Sequence, residues 1–293
     1  MFKERTALKF KIVVLVLILP LFIVGILPKY FIPFREGAYK LFQRGIWLLL
    51  NYQTKTYQTL TSSNFILKYT KADQELAPLV LAIAEDYLAQ IEEILGLEVQ
   101  AQSIPLVLYD EEESLKNSFG WSADKSAVGV YWAGTIRLVS PRGWSIDLPE
   151  NTALLWEVFQ KEGPLAHELT HLFVDEATGG NYPRWLTEGL AQYVEEKVTG
   201  FRLNQHFSAE RSAFYPFSSL DRDFDQQQDQ FLAYGQSQQA VQTLVEKDGM
   251  DRLTDLLQAL RQGMSFKQAF SKVYEQDFAD FEKNFRSVSW RTI

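Results

Sequence analysis

The stretch that decides the fold is Gly163–Glu196, GPLAHELTHLFVDEATGGNYPRWLTEGLAQYVEE, which reads as two helices joined by a Gly179-Gly180 turn. His167 and His171 stand four positions apart. At about 100° per residue both imidazoles leave one face of a helix, one turn apart, as a bidentate metal clamp requires. Glu168 follows the first histidine, from where a carboxylate reaches a water beside a metal without ligating it, the position of a general base. The chain holds only three histidines, and two of them form this pair.

A third ligand lies downstream. In Pro183-Arg184-Trp185-Leu186-Thr187-Glu188-Gly189-Leu190, Pro183 suits the first turn of a helix and Glu188 falls one to two turns inside it. Antiparallel packing of the two helices across the glycine turn carries Glu188 toward the imidazoles. Two histidines, one glutamate and an open position for water make a catalytic rather than a structural zinc centre, holding one Zn²⁺.

HELTH, with sixteen residues between His171 and the glutamate of WLTEG, resembles the gluzincin metallopeptidases, the superfamily of thermolysin and the zinc aminopeptidases. It is most similar to the bacterial peptidase MA-like group, whose pattern is a HExxH helix followed by P-x-W-L-x-E-G-L-A. The resemblance implies an α+β fold: a small mixed sheet with a long helix in front, the active-site helix under it, and a helical C-terminal subdomain. It also implies a peptide or protein substrate. The motif through which aminopeptidases read a free N-terminus is not seen, which favours an endopeptidase.

Further site residues follow from the same resemblance. In gluzincins the strand ahead of the HExxH helix is an exposed edge that grips extended peptide through its backbone, and Gly129, Val130 and Tyr131 are similar in placement. An ordinary hairpin in which Gly129 tolerates a bulge is the alternative. Tyr234, in Ala233-Tyr234-Gly235-Gln236-Ser237, resembles the tyrosine that stabilises the oxyanion in these enzymes, or else packs at a helix start. Gln192 stands where thermolysin-like enzymes place an aspartate that orients the first histidine. A glutamine still accepts a hydrogen bond but does not raise imidazole basicity, so Glu195 or Glu196 is the alternative orienting group. This departure leaves room for a rival reading, a catalytically silent membrane-tethered binding or scaffold protein.

Outside the site, residues 12–28, IVVLVLILPLFIVGILP, carry no charge and with their flanks approach the ~20 residues that cross a bilayer. Lys3, Arg5, Lys9 and Lys11 precede them, which keeps the N-terminus cytoplasmic. With no small-x-small site after Pro28, the segment reads as an uncleaved signal anchor in the cell membrane, with the catalytic part outside the cytoplasm. The expected organisation is a cytoplasmic tip and transmembrane helix over 1–35, a juxtamembrane helix or linker over 36–62 and the peptidase domain over 63–293. The middle segment, with Leu41, Phe42, Ile46 and Trp47, either lies near the headgroups or packs on the domain as a stalk.

The formal net charge is −8, and residues 1–28 are themselves cationic, so the remainder is more acidic still. An acidic domain argues against nucleic acid as a partner, which would need a basic face. The absence of cysteine excludes thiolate-bound zinc and thiol chemistry.

The rest of the pattern supplies scaffold. Residues 64–69 and 104–109 read as strands, and a three-and-four repeat of apolar residues from Leu76 to Leu95 reads as a helix stopped by Gly96. Residues 127–139 read as two strands around Ala133-Gly134. A short helix over 151–160 turns Leu154, Leu155, Val158 and Phe159 inward. Residues 201–232 read as polar loop, with His206 solvent-exposed. Helices follow over about 233–247, 250–260, 266–273 and 277–286.

Overall fold

The computed structural model describes residues 28–99, 103–122, 127–144, 151–202 and 214–288. Residues 12–27 of the expected membrane span and His206 lie outside the described residues. Among those described, no helix is long and apolar enough to cross a membrane. The chain divides into two compact units, residues 1–45 and 46–293.

The first unit contains the start of α1 (Pro28–Gln53), on which Leu41 and Phe42 are exposed. The last turns of α1 belong to the second unit. There Ile46 and Leu50 are buried while Leu48, Leu49 and Tyr52 face outward, Tyr52 at 70% exposure.

The second unit is built on a five-stranded mixed sheet of order β1-β2-β3-β5-β4. Its strands are β1 (Gln58–Thr61), β2 (Phe65–Tyr69), β3 (Ile104–Tyr109), β4 (Gly129–Trp132) and β5 (Thr135–Val139). β2, β3 and β5 run parallel, with Leu67 opposite Leu106 and Leu106 opposite Ile136. β1 and β4 pair antiparallel at the two edges. Parallel strands need a crossover, and α2 (Ala77–Leu95) supplies the one from β2 to β3. Its apolar stripe packs on the sheet, and Gly96 ends it at φ +61°.

Alternation sends the strand side chains into two cores. Phe65, Leu67, Leu106, Leu108, Ile136 and Leu138 join the large core under the helices. Val107, Tyr109 and Val139 point the other way, onto Leu50 of α1 and Leu115 of α3 (Glu112–Phe119). Neither α3 nor β1 is read from the sequence. β1 lies in the stretch read as linker and is largely exposed, since an edge strand with one wet face carries little apolar pattern.

The hairpin at 127–139 forms as expected. Ala133 and Gly134 both take positive φ, +49° and +77°, the twist that a two-residue link between antiparallel strands requires. α4 (Thr152–Glu162) starts at Asn151, whose side chain accepts from the Ala153 N–H at 2.9 Å. Leu155 and Phe159 are buried on it, but Leu154 is 42% exposed, a correction to the sequence reading. Leu154 and Phe159 stand about 140° apart around the helix, so a face centred on Leu155 and Phe159 leaves Leu154 at its edge.

The C-terminal half is helical. After the site helices α5 (Leu165–Thr178) and α6 (Arg184–Thr199) come α7 (Phe217–Arg222), α8 (Gln230–Asp248), α9 (Met250–Arg261), α10 (Phe266–Tyr274) and α11 (Phe278–Val288). α7 and the start of α8 fall in the stretch read as loop. Trp185, fully buried on α6, sits 4.5 Å from the ring of Phe217, 5.5 Å from Phe266 and 5.8 Å from Phe278. One indole thus ties the helix that carries Glu188 to three C-terminal helices.

Candidate metal centre

α5 runs through the middle of the domain, and every residue from Leu165 to Val174 is buried. Its two histidines are therefore aimed by packing rather than by free rotation. Their rings lie 4.8 Å apart, nearly edge to face. Gly179 ends the helix at φ +62°, a conformation that favours glycine, and the chain turns back into α6.

The return brings Glu188 to the imidazoles. Its carboxylate is 1% exposed, and Oε2 lies 3.3 Å from His167 Nε2 and 3.6 Å from His171 Nε2. One ligand atom from each of His167, His171 and Glu188 falls within 4.8 Å of the others, a spacing one cation can bridge.

The far sides of both rings are also engaged. His171 Nδ1 meets Thr187 Oγ at 2.7 Å. His167 Nδ1 lies 3.3 Å from Glu195 Oε2 and 3.1 Å from Gln192 Nε2. With a proton on Nδ1 donated to Glu195, Nε2 can give its lone pair to a metal ion, the tautomer a metal ligand needs. The donor set and its outer hydrogen bonds therefore fit a zinc ion.

Gln192 is thus beside His167, as its position in the sequence suggests, but it is not the sole orienting group. Its amide also donates to Glu195 Oε2 at 3.1 Å, so Glu195 collects both side chains and supplies the carboxylate. Residues 188, 192 and 195 occupy one stripe of α6. Glu196 is turned to Arg202 at 2.8 Å.

The charges respond to this crowding. Burial acts to raise Glu188, but the charges of His171 and Arg184 and the imidazole hydrogen bonds outweigh it and hold the carboxyl well below its usual value. Burial acts to lower His167, yet hydrogen bonds with Glu188 and Glu195 hold it well above the ordinary range. Both directions express one demand, a buried carboxylate seeking positive charge.

Glu168 is buried on the same helix, one residue round from His167, and burial raises its pKa against the pull of the two histidines. Its Oε2 accepts the backbone N–H of Tyr131 at 2.5 Å. This bond ties α5 to the edge strand β4. In the register of Val130 opposite Arg137 and Tyr131 opposite Ile136, the main-chain groups of Gly129 and Tyr131 point away from β5. The Tyr131 hydroxyl donates to Asp175 Oδ2 at 2.5 Å and clamps the strand further along α5. A Cβ on Gly129 would stand 2.6 Å from the Pro164 ring and 3.0 Å from Glu168 Oε1, so only glycine lets the strand lie this close. Val130 pairs with β5 and packs in the second core.

Tyr234 on α8 lies with its ring 6.3 Å from that of His167 and 5.0 Å from Phe224. The Glu188 charge, with burial, raises its pKa and keeps the phenol protonated. α8 crosses α6 so closely that a Cβ on Gly189 would stand 2.2 Å from the Ser237 carbonyl. The glycine after Glu188 is thus a packing requirement that brings Tyr234 beside the site.

Residues not singled out from the sequence complete the surroundings. They are Thr187, Asp175 and Arg184, whose Nη2 lies 2.8 Å from Glu188 Oε1. Their only sequence signal is proximity to the motifs.

A mixed sheet with an edge strand laid along a buried helix, and an imidazole pair on that helix facing a carboxylate from the next, defines a domain of the metallopeptidase type. The Peptidase MA superfamily model matches residues 83–290, and the chain belongs to that superfamily. Among solved structures, the fold is similar to Legionella pneumophila aminopeptidase A in complex with aspartic acid, at 14% identity and a TM-score of 0.44. That match covers 80% of this chain and 27% of the other, so this chain spans about a quarter of that protein. No curated protein matches in sequence.

Proposed function

We propose that the chain is a membrane-anchored zinc-dependent peptidase, and specifically an endopeptidase. The observation that carries the reading is the convergence of His167 Nε2, His171 Nε2 and Glu188 Oε2, with no cysteine or further histidine joining them among the described residues. These three atoms would hold one Zn²⁺, which when bound supplies Lewis acidity and lowers the pKa of water toward ~7.

The chain's own groups divide the remaining work. Glu168 receives the proton of the attacking water and passes it to the leaving amine nitrogen, a task that suits a carboxylate whose pKa is raised by burial. Tyr234, kept protonated, donates its O–H to the developing oxyanion. An extended substrate would join β4 as a further strand through the outward main-chain groups of Gly129, the Tyr131 N–H being donated to Glu168, which gives affinity with little sequence selectivity. Glu195, itself held by the Gln192 amide, accepts the proton on His167 Nδ1 and supplies a carboxylate behind the first histidine, where thermolysin-like enzymes carry an aspartate and this chain has Gln192.

The anchor is the uncharged run over 12–28, with the catalytic domain on the outer side of the cell membrane. Leu48, Leu49 and Tyr52, exposed on the last turns of α1, suit a helix lying near the headgroups.

The test is digestion of an unfolded protein by the full chain in detergent, beside Glu168→Gln. Cleavage by the first and its loss in the second supports the reading. Zinc bound without cleavage in either would favour the silent scaffold, and equal cleavage by both would remove the proposed base.

A further inference from the structure

Both oxygens of the Glu188 carboxylate are engaged, by groups of different kinds. Oε2 faces the two imidazoles at 3.3 and 3.6 Å. Oε1 lies 2.8 Å from Arg184 Nη2, one helical turn back on α6. The guanidinium is itself held: the same nitrogen is 3.5 Å from Asp225 Oδ1, and its carbon lies 5.8 Å from the Phe224 ring. A carboxylate oxygen in a short charge-assisted hydrogen bond has one lone pair committed, and the fixed positive charge on that side opposes the approach of a metal cation to the rest.

We infer that Arg184 is a positioning residue that restricts Glu188 to single-oxygen ligation. The inference rests on the metallopeptidase reading above and sharpens it. A carboxylate is free to bind a metal through one oxygen or two, and the second mode would occupy a position that a catalytic site leaves to water. With Oε1 held by Arg184, the protein contributes three ligand atoms. The cation also draws electron density from the carboxylate, so Glu188 donates less charge and the bound ion remains the stronger Lewis acid. Arginine suits this role because its always-charged, planar guanidinium lies against the Phe224 ring while Nη2 reaches both Glu188 and Asp225.

The test uses the full chain loaded with Co²⁺ in place of zinc, since its visible absorption weakens and shifts as ligands are added. The Arg184 side chain is 46% exposed at the first turn of α6, so Arg184→Met leaves the core intact. The methionine variant is expected to bind one ion per chain with a weaker, shifted cobalt spectrum. Its kcat is expected to fall about 10- to 100-fold with KM unchanged. Arg184→Lys, which keeps a cation, is expected to return the spectrum toward that of the wild type. A wild-type spectrum and kcat in Arg184→Met would overturn the inference while leaving the metallopeptidase reading intact. Failure of the unmodified chain to bind cobalt or zinc would overturn both.

Discussion

The backbone N–H of Tyr131 donates to Oε2 of Glu168 at 2.5 Å, so the edge strand and the helix that bears both histidines are joined through the carboxylate assigned as base. The close approach behind this bond depends on Gly129. Gly129→Ala would press a methyl group on the Pro164 ring at 2.6 Å and must push β4 outward. The expected cost in stability is about 1–3 kcal/mol, with a fall in kcat/KM larger than the same loss of stability produces at a distant site. Thermal unfolding and peptide kinetics on the same preparation check this.

Gly189 makes a harsher demand. A Cβ there would meet the Ser237 carbonyl oxygen at 2.2 Å and its carbon at 2.6 Å, both backbone atoms that cannot rotate away. Gly189→Ala is expected to separate α6 from α8 and to cost more than about 3 kcal/mol, read as a lowered denaturant midpoint.

The carboxylate behind His167 is Glu195, at 3.3 Å from Nδ1. Glu195→Gln is expected to weaken zinc binding about 10- to 100-fold, and Gln192→Ala less, because Gln192 acts partly through its own bond to Glu195. Chelator competition measures both; a larger effect at Gln192 would return the orienting role to that residue.

Far from the centre, Glu85 accepts the Asn64 backbone N–H at 2.8 Å and the Asn64 amide at 2.7 Å. Burial acts to raise its pKa, but hydrogen bonds from Ser62, Ser63 and Asn64 overcome this and lower it from 4.5. A carboxyl lowered in the folded state stabilises above its unfolded value and loses that contribution as the pH falls through its folded value. Glu85→Gln is therefore expected to cost about 1 kcal/mol near neutral pH, reduced by solvent screening. The difference from wild type is expected to disappear below the folded-state value, as urea unfolding at several pH values would show.

These sites differ in how far the sequence announces them. His167, Glu168, His171 and Glu188 are legible because helical spacing and a glycine turn fix their relation, and so are β2, β3, the hairpin and α2, whose apolar periods are strong. Glu195 is legible as one of two candidates on the right face of α6; choosing it over Glu196 needs the side-chain rotation that sends Glu196 to Arg202. Thr187 and Arg184 act through individual side-chain contacts that leave no periodic trace. β1 and α3 escape because short, wet elements are set by their partners rather than by their own pattern. Leu154 is exposed because it lies about 140° round the helix from Phe159, at the edge of the face that Leu155 and Phe159 bury.

The central claim is that two imidazoles and the Glu188 carboxylate bind a single divalent ion. Zinc content per chain, measured by plasma mass spectrometry after dialysis against a weak chelator, tests it most directly. One zinc per chain is expected in the wild type, and far less in Glu188→Ala of unchanged circular dichroism. Equal zinc in the two proteins, or none in the wild type, would contradict it.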